Sequence, residues 1–138
     1  MRTIREVIEP KNAALNVSRN LKLPHSPGIR AGDLIFLSGM VSTDAQTGQR
    51  SLGTTAYETR TVLNNMQHML ESAGSGLSRA VKINVILADI LEMENMNEVY
   101  REFFPHDPPA RTVCAAQLSF GFKVEIECVA LAGLEEGH

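Results

Sequence analysis

The sequence is poor in the features that usually announce a chemistry. It has two cysteines, Cys114 and Cys128, both in apolar runs and without metal-type spacing. They read as reduced core thiols of a protein from a reducing compartment. No Cys-x-x-Cys, His-Glu-x-x-His or EF-hand pattern occurs, and His25, His68, His106 and His138 share no ligand spacing. No nucleophile elbow is present. Gly74-Ser75-Gly76 follows a helical pattern instead of opening one, which excludes a dinucleotide fingerprint. Any chemistry on this chain is therefore expected to need no metal and no cofactor.

Other absences bound the partners. The formal net charge is −3 and like charges form no block, which argues against a nucleic-acid backbone as partner. No stretch approaches the roughly 18–20 apolar residues of a membrane span. Met1 to Glu6 lacks an apolar signal core. The expectation is a cytoplasmic protein without membrane contact.

What is present is ordinary globular material: 138 residues, 43% apolar and 21% charged. That length predicts a single domain, 1–138, with its own core. Thr3–Ile8 alternates as a short strand, and Pro10-Lys11-Asn12 is a turn. Asn16–Leu23 is polar and mixed. Two prolines make Pro24–Gly28 a fixed loop. Gly32-Asp33 is a tight turn between two strands, the second of them buried, Leu34–Leu37, ending at Ser38–Val41. Gly39 there lets a backbone or a ligand come close.

Thr54 or Thr55 caps the next helix, with Glu58 completing a capping box after Thr55. Leu63, Met66, Leu70 and Ala73 recur at helical spacing to about Ser72, and Gly74 and Gly76 end the run. Ser78–Ala88 has period two through Val81, Ile83, Val85 and Leu87. Asp89 caps a second helix, from about Leu91 to Phe104, which Pro105 stops. The order is three strands, helix, strand, helix, two strands. It implies an α+β mixed sheet with both helices on one face. The uncovered face, with Val85 and Cys114–Ala116, then calls for a partner copy.

The last thirty residues read as a hairpin about Leu118–Gly121. Arg111 opens its first strand, and Glu125 and Glu127 lie inside the second. Residues two apart share a face, so these acids face one side and Val124, Ile126 and Cys128 the other. Two readings of Arg111 stand: an ion pair with one glutamate, or an anion clamp using two parallel N–H donors. His25, between prolines, is either a surface histidine or a ligand contact.

Five segments together resemble the Rid family of enamine/imine deaminases, also called YjgF. They are Pro24–Gly28 with Gly32–Gly39; Thr59-Arg60-x-Val62-Leu63-x-Asn65 with Leu70–Gly74; Val81–Ile83; Met96–Phe104; and Pro109–Thr112 with Val124–Ala130. The resemblance implies a chorismate-mutase-like fold assembled as a homotrimer, with clefts between subunits that hydrolyse 2-imino acids to 2-keto acids and ammonia. Arg111 would hold the substrate carboxylate, Glu125 would activate water, and Glu127 would be secondary. His25, Ser38, Gly39, Asn97 and Cys114 would contact the substrate. It also admits a pathway-specific deaminase of an amino-muconate-like intermediate, or a non-catalytic trimer that binds small carboxylates. Three departures mark this chain. His25 stands for the family's tyrosine, Val113 for its cysteine with Cys114 alongside, and the span from Arg111 to Glu125 is one residue shorter.

Overall fold

The computed structural model describes residues 5–133. Thr3 and Ile4 of the expected first strand lie outside the described residues. Six strands form one sheet: β1 (Arg5–Ile8), β2 (Gly28–Ala31), β3 (Leu34–Val41), β4 (Ala80–Leu87), β5 (Ala110–Ala115) and β6 (Val124–Leu131). Their order across the sheet is β1-β2-β3-β6-β4-β5. All neighbours are antiparallel except β4 and β5, which run parallel. Parallel neighbours need a crossover, and the helix α3 (Met93–Phe103) supplies it. The longer helix α2 (Thr55–Glu71) links β3 to β4. A one-turn helix, α1 (Val17–Asn20), is capped by the Asn16 side chain inside the stretch read as polar and mixed. Four residues are too few for a period to show.

The core lies between one sheet face and the two long helices. Ile35 and Leu37 of β3, Ile83, Val85 and Leu87 of β4, and Val124, Ile126 and Cys128 of β6 meet Val62, Leu63, Met66 and Leu70 of α2 and Met96 and Tyr100 of α3. Val85 is thus fully buried under the helices and does not belong to the open face. The open face carries the alternate residues. Phe36 and Leu131 are 43% and 41% exposed there.

The terminal hairpin does not form. β5 fills one edge of β4, and β6 inserts between β3 and β4, where it gains two partners in place of one. The burial patterns account for this. Every second residue of β6 from Val124 to Ala130 is buried, as in a central strand, whereas β5 has no fully buried residue, as at an edge.

A side-chain cap fixes where α2 begins, and α3 has none at its first residue. Thr54 is the cap of α2, its Oγ1 accepting from Tyr57 N at 3.1 Å. Glu58 therefore falls one residue beyond the capping-box position, and it is fully buried. Its Oε2 accepts from Gly53 N at 3.1 Å and its Oε1 from Lys123 N at 2.9 Å, which ties the helix start to the entry of β6. The helix α3 begins later than its cap suggests. Asp89 Oδ1 accepts from Leu91 N at 2.9 Å in a 3-10 turn, Ile90–Glu92, and the α-helix starts at Met93.

Candidate active site

Glu125 and Glu127 do share the open face of β6, as the two-residue period requires. Opposite them β3 is irregular. Its register with β6 shifts between Leu37 and Met40, so Ser38 and Gly39 form a bulge. The bulge is fastened to the proline loop: Ser38 N donates to Pro27 O at 3.0 Å, and Ser38 Oγ to Ser26 O at 2.6 Å. A Cβ at position 39 would collide with the Glu125 carboxylate. The close approach that a glycine there permits is made by this side chain.

A cavity of about 620 Å³ opens on this corner. Its wall includes His25, Ser38, Gly39, Arg50, Glu125 and Glu127. Apolar lining comes from α1 and its flanks, through Leu15, Val17 and Leu21, and from Met69 of α2. Burial, and then the neighbouring Glu127 charge, raise the Glu125 pKa above the usual carboxylate value. Glu127 itself is exposed and accepts from Asn84 Nδ2 at 2.8 Å. His25 is an exposed side chain on the rim.

Arg111 lies elsewhere. It shares with Val113 the helix side of the edge strand β5. There Nη1 donates to Asn97 Oδ1 at 2.8 Å, and the guanidinium carbon sits 4.7 Å from the centre of the Tyr100 ring. Both partners come from α3, so the helix that makes the crossover also sets the arginine's direction. Neither glutamate pairs with it, and among the described residues it has no ion-pair partner. Within one copy β4 stands between Arg111 and Glu125, and the two side chains leave opposite faces of the sheet. Tyr100 is buried, and its hydroxyl has no hydrogen-bond partner. Burial pushes its pKa up to about 12 against the opposing charge of Arg111, with Cys128 adding to the rise.

The site residues read from the sequence thus fall into two groups. His25, Ser38, Gly39 and Glu125 meet at the cavity, and Arg111 and Asn97 meet at the far edge. Cys114 joins neither. β5 pairs with β4 without a register break from Ala110 to Ala115, so the shorter spacing to Glu125 is taken up after the strand. Cys114 therefore faces away from Arg111. It is exposed and is no core thiol, whereas Cys128 is buried and burial raises its thiol pKa to about 12. Sequence reasoning missed Arg50. Nothing in its turn marked it, and only the fold brings it to Phe120, whose ring centre is 3.5 Å from the guanidinium carbon. Among the described residues no group of three or more His, Cys, Asp or Glu side chains could hold a metal ion. No helix among them is long and apolar enough to cross a membrane.

Comparison with known proteins gives the same outline. The family model described as Endoribonuclease L-PSP matches residues 18–132. The human protein named 2-iminobutanoate/2-iminopropanoate deaminase is 36% identical over 111 residues, covering 80% of this chain and 81% of its own. The Arabidopsis thaliana protein named Reactive Intermediate Deaminase A, chloroplastic, is 38% identical over 108 residues, 78% of this chain. This chain spans 58% of that relative's length. A Schizosaccharomyces pombe relative is named as mitochondrial, so relatives occur in more than one compartment. A crystal structure of a conserved Rid family protein from Yersinia pestis superposes with a TM-score of 0.84 at 28% identity, covering 94% of this chain and all of the other. With the match running from α1 through β6, this chain belongs to the Rid family, also called YjgF or L-PSP.

Proposed function

We propose that this protein is a hydrolytic deaminase that converts small 2-imino acids, and the enamines that tautomerise to them, into 2-keto acids and ammonia. It works in clefts between the subunits of a homotrimer. The observation that carries the reading is the division of the charged groups. Arg111 is oriented by Asn97 and Tyr100 but has no carboxylate to bind, while Glu125 stands in a cavity and makes no ion pair among the described residues. Each half supplies what the other lacks when the β5 edge of one copy is set against the cavity of the next. Phe36 and Leu131, exposed on the open face, favour such an assembly. The name of the human relative supports the substrate class.

In this reading Arg111 of a neighbouring copy takes the substrate carboxylate through two N–H donors. The imine carbon then lies over Glu125 and the Ser38–Gly39 bulge. Ionised Glu125 accepts a proton as a water oxygen bonds to that carbon, giving a tetrahedral carbinolamine. Glu125 returns the proton to nitrogen, the C–N bond breaks, and the hydroxyl proton leaves with the amine. The sum is R–C(=NH2+)–CO2− + H2O → R–CO–CO2− + NH4+. A raised pKa suits this exchange, because it makes the carboxylate a stronger base toward the water and brings its pKa nearer to neutral pH. Imine hydrolysis is intrinsically easy, so orientation plus one acid/base group is enough.

The test generates 2-aminoacrylate in situ with a dehydratase and follows keto-acid release. The wild type is expected to accelerate release and Arg111→Ala to lose most of that acceleration. No acceleration by the wild type overturns the hydrolase reading, and thermal shifts by keto acids without turnover would replace it with a carboxylate-binding trimer. A monomer by light scattering removes the shared cleft altogether.

A further inference from the structure

The cavity holds one permanent cation, and the proposed reaction does not use it. Among its lining residues only Arg50 is a lysine or arginine, and it lines the cavity together with Glu125 and Glu127. Among the described residues Arg50 has no carboxylate within ion-pair distance. Its contact is the ring of Phe120, 3.5 Å from the guanidinium carbon to the ring centre. At that separation the planar group rests on the ring by its face. Such a stack fixes the plane and leaves the N–H edge free, and that edge is the part that grips a carboxylate with two parallel bonds.

The backbone on both sides holds this arrangement near Glu125. Arg50 pairs with Thr43 in an isolated bridge, two residues beyond Val41, which is the register partner of Glu125. Asn65 Nδ2 of α2 donates to Thr43 O at 2.8 Å and pins that bridge from behind. Phe120 lies in the link between β5 and β6, four residues before Val124. Its backbone is left-handed, φ 56° and ψ 20°, a conformation rare for an aromatic residue. Strain of this kind persists where the surroundings impose it, and it gathers at ligand clamps. Here it presents the ring to Arg50.

We infer that Arg50, stacked on Phe120, is a specificity-determining residue that binds an anionic group at the distal end of the substrate side chain. The preferred substrates are then 2-imino acids with a second carboxylate. This rests on the imine-hydrolase reading for the chemistry and adds to it the substrate class. Arg111 takes the carboxylate next to the reacting carbon, and Arg50 takes the one at the far end.

The experiment compares 2-iminoglutarate with 2-iminobutanoate, each formed in situ by an amino-acid oxidase, and reads the ratio of the two kcat/KM values. The wild type is expected to favour the dicarboxylate. Arg50→Gln is expected to cut that ratio by about tenfold or more, the usual worth of a charged hydrogen bond. Arg50→Lys keeps the charge without the fork and should restore part of it. Phe120→Leu should lower the ratio through loss of the stack. A ratio that Arg50→Gln leaves unchanged overturns the assignment, and this includes an equal loss on both substrates, which would mean that Arg50 serves the carboxylate common to them. If the wild type hydrolyses neither imine, the hydrolase reading falls by itself. Calorimetry with 2-oxoglutarate and 2-oxobutanoate then decides the role of Arg50. A preference for the dicarboxylate that Arg50→Gln abolishes supports it, and equal affinities overturn it.

Discussion

Two acids in this protein are held away from water, and they are held differently. Glu58, at the start of α2, is fully buried, and both its carboxylate oxygens accept backbone N–H bonds, from Gly53 and Lys123. The ammonium of Lys123 stands 3.8 Å away. Glu125, in β6, is half-buried against a glycine and next to a like charge, which with its burial raises its pKa. The first environment gives both oxygens a backbone donor and uses the acid for structure. The second disfavours the charged form and leaves the group able to exchange a proton. Burial alone does not mark a reactive acid; what faces the carboxylate decides.

The contrast breaks most visibly if each acid loses its charge in turn. Glu125→Gln is expected to lower kcat on 2-imino acids by about 10²–10⁴, the usual worth of a positioned acid/base group. It should leave the fold at least as stable at neutral pH. A carboxylate whose folded pKa is raised loses stability as pH rises from its unfolded to its folded pKa, and glutamine escapes that loss. Glu58→Ala should do the reverse. Two buried N–H groups lose their acceptor, so unfolding free energy falls by about 3 kcal/mol or more, while activity per folded molecule persists. Calorimetric melting beside turnover reads both. A destabilised Glu125→Gln together with an inactive but stable Glu58→Ala would invert the assignment.

A smaller substitution tests the glycine between bulge and carboxylate. In Gly39→Ala the new Cβ occupies space that the Glu125 carboxylate now fills, so the acid must swing out of place. Turnover should fall by about tenfold to a hundredfold from misplacement alone. The stability cost should stay within the roughly 1–3 kcal/mol of overpacking. Unchanged turnover would mean that Glu125 does not work from the position it holds here.

The sequence carried these two acids with unequal clarity, for physical reasons. Period two along Val124–Leu131 reports which residues share a face, so the pairing of Glu125 with Glu127 was legible. It reports nothing about which strand lies alongside, and the expected hairpin failed because β4 already held β5 through a parallel crossover. That single error of neighbour decides whether Arg111 and Glu125 meet within one copy. Glu58 was illegible for another reason. An acid in a first helical turn looks solvated, and one of the partners that bury it, Lys123, lies 65 positions away in sequence. The family resemblance named His25, Ser38, Gly39, Glu125 and Glu127 of the cavity wall, yet not Arg50, because that position belongs to no matching segment.

The finest test concerns the like charge beside Glu125. Glu127 is exposed, lies on the same face and is held by Asn84, and its charge opposes ionisation of Glu125. Turnover that needs ionised Glu125 should rise with pH through the Glu125 pKa. In Glu127→Gln the opposing charge is gone and burial alone still raises that pKa, so the acid limb should move to lower pH without vanishing. Because Glu127 is exposed, salt already screens part of its effect, and the displacement should be larger in dilute buffer than in concentrated salt. A limb that stays in place, or moves to higher pH, would mean that the group setting it is not Glu125. The contrast with Glu58 would then describe two structural acids instead of one structural and one reactive.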